Sequence, residues 1–273
     1  MTGSARLAFD RLAPIYDTIA AGDAFERQRQ QTHAVFSQWI RRGFRVLEIG
    51  CGTGCDTRFL AGLGAQVVAC DPSEEMLAHA RRKLFRAELA NRVSLWSCGL
   101  DDLPHFLDTL DGGRGFDAVI SNFGALNCAS TLAPLGDIGQ RHLRPGGAMA
   151  IGLLGRACLW EAAYFLLRGD RSKAARRRVD HVPVPVAGVD VETYYYRTAD
   201  LGAALGAGFT LDQSVGVGVF VPPPYLEPRW RRLPEAARQL AAGADRLVGS
   251  WPPINRLGDH TLTRWVKRRV SRG

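Results

Sequence analysis

Short apolar runs separated by longer amphipathic stretches mark the first half of the chain. Arg45–Ile49, Gln66–Cys70, Val93–Ser97, Phe116–Ser121 and Ala148–Leu154 read as strands, each bounded by turn residues. The stretches at 55–63, 74–90 and 131–143 read as helices between them. Strands alternating with helices predict a parallel sheet covered on both faces. Upstream, Ala24–Phe36 reads as a polar helix, and Arg41-Arg-Gly43 turns the chain into the first strand. Arg144-Pro-Gly-Gly147 has proline and glycine where a turn favours them. The most apolar stretch, Ala148–Leu167, is interrupted by Arg156 and Glu161 and punctuated by Gly152 and Gly155. It predicts strand, loop and helix rather than a membrane span.

The first strand breaks into alternate glycines at Gly50, Gly52 and Gly54, and a helix begins at Cys55. Glycine takes φ > 0 and lets a ligand approach the backbone, so a glycine loop between strand and helix signals nucleotide binding. A dinucleotide fingerprint would need glycine at 55, where the chain has Cys55. Glu48 would also repel a pyrophosphate at the helix N-terminus and suits a ligand carrying positive charge. S-adenosylmethionine (SAM), with a sulfonium, an ammonium and no phosphate, fits. The next strand ends at Asp71, about 20 positions past the glycines, where a carboxylate meets ribose hydroxyls in nucleotide-binding βαβ units. Pro72-Ser-Glu-Glu-Met76 then opens a helix, with Ser73 as N-cap and Met76 as its first apolar contact.

Glu48-x-Gly50-x-Gly52-x-Gly54 with Asp71 resembles motif I and the acidic strand end of the class I SAM-dependent methyltransferases. Phe9-Asp-Arg-Leu-Ala-Pro-Ile-Tyr16-Asp17 resembles the FDxxAxxYD opening of their small-molecule, ubiquinone/menaquinone-methyltransferase-like (type 11/25) group. The resemblance implies an α/β, Rossmann-like, seven-stranded, mostly parallel sheet with helices on both faces and helical lid insertions. It implies cofactor contacts at Tyr16, Glu48, Gly50, Cys51, Gly52, Gly54, Asp71, Pro72 and Met76, and after strand four at Asn122 and Phe123. After strand three the family's adenine-binding acid falls on Gly99, a departure. Asp101 or Asp102 would substitute, or the backbone at Gly99 and Leu100 would serve. In the family a helix, a sixth strand and an antiparallel seventh follow, mapped to Ala199–Ala207, Gly208–Ser214 and His260–Val266. The expected organisation is a cap (1–43), a SAM-binding core (44–155), a first insertion (156–198), more core (199–215), a second insertion (216–258), and a last strand with a basic tail (259–273).

Methyl transfer is an in-line displacement in which the protein positions and desolvates the acceptor. A phenol or alcohol acceptor would need a base, most often histidine. His33, on the helix expected over the site, is the first candidate, with Tyr16 beside the cofactor. Tyr194, Tyr195 and Tyr196, with Tyr225, would line an aromatic acceptor pocket.

The chain has 273 residues, 46% of them hydrophobic and 23% charged, as in ordinary globular proteins. No apolar signal sequence opens it, so a cytoplasmic location is expected. The six cysteines form no CxxC pair or zinc spacing and are expected to be free thiols. The net charge of +8 is concentrated in Arg171–Arg178 and in a tail holding Arg264, Lys267, Arg268, Arg269 and Arg272. Such runs are solvated faces or meet anionic lipid or nucleic acid. A small or lipid-like acceptor methylated at O, N or C is the expected substrate. A nucleic-acid methyltransferase, which no recognisable binding module supports, and a non-catalytic SAM-binding protein are the alternatives.

Overall fold

The computed structural model describes residues 3–110 and 114–269, so Arg272 of the basic tail lies outside the described residues. The chain opens with α1 (Gly3–Ala20) and α2 (Asp23–Trp39). The first βαβ units follow as β1 (Arg45–Ile49), α3 (Cys55–Gly62), β2 (Gln66–Asp71), α4 (Glu74–Arg86) and β3 (Val93–Ser97). Next come α5 (Leu103–Leu110), β4 (Phe116–Ser121), α6 (Ala133–His142) and β5 (Leu143–Leu154).

The first insertion carries α7 (Leu159–Leu167), α8 (Arg171–Ala175) and a hairpin of β6 (His181–Val186) and β7 (Val189–Tyr194). After α9 (Thr198–Leu205) and β8 (Phe209–Val217), the second insertion carries α10 (Glu227–Trp230) and α11 (Glu235–Val248) before β9 (His260–Lys267).

The main sheet has seven strands in the order β3-β2-β1-β4-β5-β9-β8. Neighbours from β3 to β5 pair in parallel, and β9 runs antiparallel to both β5 and β8. This is the expected Rossmann-like sheet. Apolar side chains fill both of its faces. Leu47, Val119, Met149 and Ile151 pack with Leu103, Leu135, Ile138 and Leu201 from α5, α6 and α9. Val46, Val67, Ala118 and Ile120 pack with Phe36, Leu60 and Leu77 from α2, α3 and α4. Full burial of the central strands explains their uninterrupted apolar sequences.

Three local expectations change. The helix after β2 stops at Arg86 rather than residue 90, because Glu88 turns to φ 56° and a 3-10 turn follows at Ala90–Arg92. The Arg144–Gly147 turn becomes a bulge inside a longer β5, where the register against β4 shifts between Phe116 and Ala118. The first insertion is also not purely helical, since its second half is the β6–β7 hairpin laid against α1.

Carboxylates tie the outer helices down. Glu227 of α10 accepts the Asp23 and Ala24 N–H groups, each at 2.8 Å, at the N-terminus of α2. The Trp230 indole donates to Asp23 at 2.7 Å. Asp245 of α11 accepts three consecutive N–H groups, from Val219, Phe220 and Val221, at 3.0, 2.9 and 3.0 Å. Gln31 of α2 donates to the carbonyls of Gly216 and Asp245.

Candidate functional site

The glycine loop leaves β1 at the carboxyl end of the sheet, where ligands of open α/β sheets bind. Its glycines all take positive φ: 73° at Gly50, 52° at Gly52 and 76° at Gly54. The Gly50 and Cys51 N–H groups donate to the Cys70 carbonyl, which folds the loop back over β2. A Cβ on Gly50 would lie 2.3 Å from the Cβ of Ala125, so only glycine fits between the loop and the segment after β4.

This loop floors a cleft of about 1020 Å³ that opens to solvent. Asp71 stands on its wall with both oxygens held by backbone: Oδ2 accepts Gly52 N–H and Oδ1 accepts Ser73 N–H, each at 2.9 Å. Burial pushes its carboxyl up to about 6 against the pull of those bonds. Glu48 is buried behind the loop, and its Oε2 has no hydrogen-bond partner among the described residues. Burial, then the neighbouring Asp56 charge, hold its carboxyl well above the usual range.

Each fixed position of the FDxxAxxYD segment has a place in α1. Phe9 and Tyr16 line the cleft, and Ala13 is fully buried. Asp10 accepts the Ser73 hydroxyl at 2.6 Å, while Ser73 Oγ caps the Met76 N–H at 3.1 Å. Asp17 accepts the Thr53 hydroxyl at 2.6 Å and Lys83 Nζ at 2.9 Å. The Tyr16 phenol is buried, which raises its pKa far above normal and keeps it protonated.

Across the cleft stands Arg29 of α2, its guanidinium 4.7 Å from the Phe25 ring centre and 5.8 Å from that of Phe123. Phe123, at φ 49°, stands against Phe25 on one side and edge-on to buried His260 on another. Asn122 donates to Asp56 at 2.8 Å and to Thr32 at 3.1 Å. Burial alone would raise the Asp56 carboxyl, but its bond to His33 and the bond from Asn122 hold it below the ordinary range.

Of the residues singled out from sequence, Tyr16, Glu48, Gly50, Cys51, Gly52, Asp71, Pro72, Met76, Leu100, Asn122 and Phe123 all line this one cleft. Gly54 stands behind it as the left-handed N-cap of α3. Gly99 and Asp101 are off the wall. The Gly99 carbonyl accepts the Leu103 N–H at the start of α5, and Asp101 is exposed. The inner end of the cleft is instead lined by Met76, Cys98, Leu100, Leu126 and Ala129.

His33 is also off the wall. Its Nε2 lies 2.7 Å from Asp56 and its ring stacks on Phe59, so it acts on the cleft only through Asp56. The four tyrosines expected around the acceptor are not on the wall of this cleft. Tyr194 and Tyr196 stack on each other, and Tyr195 turns inward beside Arg177. Tyr196 reaches the cleft only indirectly, donating at 2.6 Å to the carbonyl of Ala129 on its wall. Tyr225 donates to Glu161 at 3.3 Å, and Glu161 pairs with the same Arg177 that lies beside Tyr195.

The basic run 171–178 is not wholly a solvated face either. Arg176 pairs bidentately with buried Glu161, and buried Arg177 joins Glu161 to Asp259. The uniformly basic run gave no sign of this inward turn, because the acids lie 15 or more residues away. Arg29 and Asp56 were likewise missed, since neither belongs to a glycine or aromatic motif. The only signal was a helical position facing the loop.

Residues 46–147 match the family model described as a methyltransferase domain. The chain is 33% identical over 164 residues to a demethylmenaquinone methyltransferase of Parafrankia sp., covering 52% of this chain and 62% of the relative. It is 31% identical over 181 residues to a malonyl-[acyl-carrier protein] O-methyltransferase of Pectobacterium atrosepticum, covering 66% of this chain and 64% of that protein. It thus spans just under two thirds of the length of these relatives. Its fold is shared with a SAM-dependent methyltransferase from Mesorhizobium loti, with a TM-score of 0.56, 21% identity, and coverage of 92% of this chain and 100% of the other. The match to the methyltransferase-domain model falls on the glycine loop, on Asp71 and on the parallel strands of the seven-stranded sheet.

Proposed function

We propose that the protein transfers the methyl group of SAM to an O, N or C atom of a small or lipid-like organic acceptor. The observation that carries this reading is the charge layout of the cleft. Asp71 offers a carboxylate beside the glycine loop, Glu48 offers a second with an unpartnered buried oxygen, and Arg29 offers a cation opposite. A ligand with ribose hydroxyls, an ammonium and a carboxylate satisfies all three. The absence of a pyrophosphate in SAM agrees with acids on this wall.

In this reading Asp71 holds the ribose, Glu48 the ammonium and Arg29 the carboxylate. Gly50, Cys51 and Gly52 bring backbone against the methionine portion, and Pro72, Met76 and Leu100 enclose the adenine with Cys98, Leu126 and Ala129. Bound SAM supplies an electrophilic methyl carbon. Tyr16, Asn122 and Phe123 then exclude water and orient the acceptor beside it. Tyr16 serves as a hydrogen-bond donor, because its phenol stays protonated.

No histidine lines the cleft among the described residues, and Asp56 is held ionised and weakly basic. Acceptors that are nucleophilic without a protein base, such as carboxylates, amines and stabilised carbanions, therefore suit the site best. The relatives above are named for methylation of demethylmenaquinone and of malonyl-[acyl-carrier protein], both in keeping with this class. Residues 1–43 would cap the cofactor, and the insertions at 156–198 and 216–258 would cover the acceptor.

No helix among the described residues is long and apolar enough to cross a membrane. A cytoplasmic enzyme touching anionic membrane through its basic tail fits that and a lipid-like acceptor.

Calorimetric titration with S-adenosylhomocysteine, with NADH as control, tests the cofactor. Micromolar binding of the former alone, about −8 kcal/mol, is expected. Methyl-labelled SAM with a panel of carboxylate, amine and quinol acceptors then tests the chemistry. Binding of NADH, or of neither ligand, overturns the reading.

A further inference from the structure

A second cleft, separate from the cofactor cleft, lies between α1, α3 and α4 and encloses about 690 Å³ with its mouth. Five of its lining residues are Arg58, His79, Arg82, Lys83 and Arg86. His79, Arg82, Lys83 and Arg86 fall at helical spacings of three and four, so α4 presents them on one face. Arg58 joins them from α3. The one acid on the wall, Asp17, is already shared between Lys83 and the Thr53 hydroxyl. No carboxylate pairs with Arg58, Arg82 or Arg86 among the described residues, although Glu74 pairs with Arg81 nearby.

Like charges at these spacings repel along the helix. A concave wall of one sign also focuses the field and gathers counter-ions. Arginine forks match the oxygen geometry of phosphate and grip it bidentately. From this convergence of cations from two helices on one concave wall we propose that the α1–α3–α4 cleft binds a phosphate-class oxyanion carried by a small molecule. Arg58, Arg82 and Arg86 grip the anion, and His79 adds a donor at the rim. Lys83 forms the boundary with the cofactor cleft, since its Nζ also lies 3.1 Å from Thr53 Oγ1 and 2.9 Å from Cys55 Sγ, both on the cofactor-cleft wall. The inference does not depend on the methyl-transfer reading.

The test is calorimetric titration of the full-length protein with sodium pyrophosphate and with orthophosphate in 150 mM sodium chloride, without SAM. A saturable 1:1 isotherm is expected, tighter for pyrophosphate. Arg82→Gln with Arg86→Gln should weaken it at least about tenfold, the loss expected of charge-assisted bonds. Arg231→Gln with Arg232→Gln removes the same charge from another surface and should leave the isotherm unchanged. Arg58→Gln alone is the second probe, should the double variant fold poorly by circular dichroism, and should weaken binding severalfold. No saturable heat with the wild type overturns the proposal. So does an equal loss in the Arg231/Arg232 control, which would reveal diffuse charge attraction.

Discussion

Asp71→Ala separates the two tasks that the structure gives this carboxylate. Its carboxyl sits at about 6 against an ordinary 3.8, with burial the cause. Roughly two units correspond to ~3 kcal/mol spent on ionising it. The folded value lies above the unfolded one, so between about pH 4 and 6 the folded chain binds more protons than the unfolded chain. Stability therefore falls as pH rises through that window, and the cost is fully present above it.

Alanine removes this cost and also removes two backbone hydrogen bonds to a charged acceptor, worth ~1.5–3 kcal/mol each. The terms oppose, so urea denaturation at pH 7.5 should show a loss of only about 0–3 kcal/mol. Ligand affinity has no such compensation. Two ribose hydroxyls lose their acceptor, and S-adenosylhomocysteine binding should weaken by ~3 kcal/mol, more than about 100-fold. In the wild type, hydroxyl donors favour the ionised carboxylate. Affinity should thus fall by up to about tenfold per unit as pH drops through 6, and Asp71→Asn should lose that slope. Calorimetry from pH 5 to 8 measures both effects. Affinity within threefold of wild type in a folded Asp71→Ala variant, or a flat wild-type profile, would refute the ribose assignment.

Gly50→Ala puts a Cβ 2.3 Å from Ala125 at φ 73°, so it should cost at least ~2 kcal/mol in left-handed strain and overpacking. An unshifted melting temperature would show that the loop moves freely, contrary to the packing described. Arg29→Gln should weaken S-adenosylhomocysteine binding by about 10- to 100-fold and leave 5′-methylthioadenosine, which lacks the amino-acid end, unaffected. Equal losses for both ligands would mean that Arg29 only shapes the cleft.

The sheet was legible because its central strands are buried on both faces and mostly apolar, and because glycines mark the loop that approaches a ligand. The contacts of α1 were legible for a different reason: Asp10, Ala13, Tyr16 and Asp17 carry a recognisable spacing. What the sequence hid was long-range polar pairing. Arg177 reads as one of several surface arginines until Asp259, 82 residues on, turns it inward. His33 reads as a free base until Asp56 takes its Nε2. The tyrosine triplet alternates as a strand should, but which face meets the cleft depends on where the hairpin docks, and local pattern carries no trace of that. Gly99 shows the converse. A missing acid was visible in sequence, while the apolar residues lining that end come from α4 and from the segments after β3 and after β4, which only the fold assembles.

The two N-terminal helices are anchored to different partners. Asp10 and Asp17 fasten α1 to Ser73, Thr53 and Lys83, all on the cofactor side. Glu227, Trp230 and Asp245 fasten α2 to the second insertion. The two helices are thus fastened to different partners on either side of Ala21 and Gly22, and α2 is also held to the core by Phe36, His33 and Thr32. Through His33–Asp56 and Thr32–Asn122, α2 transmits any displacement of the second insertion to the wall of the cofactor cleft.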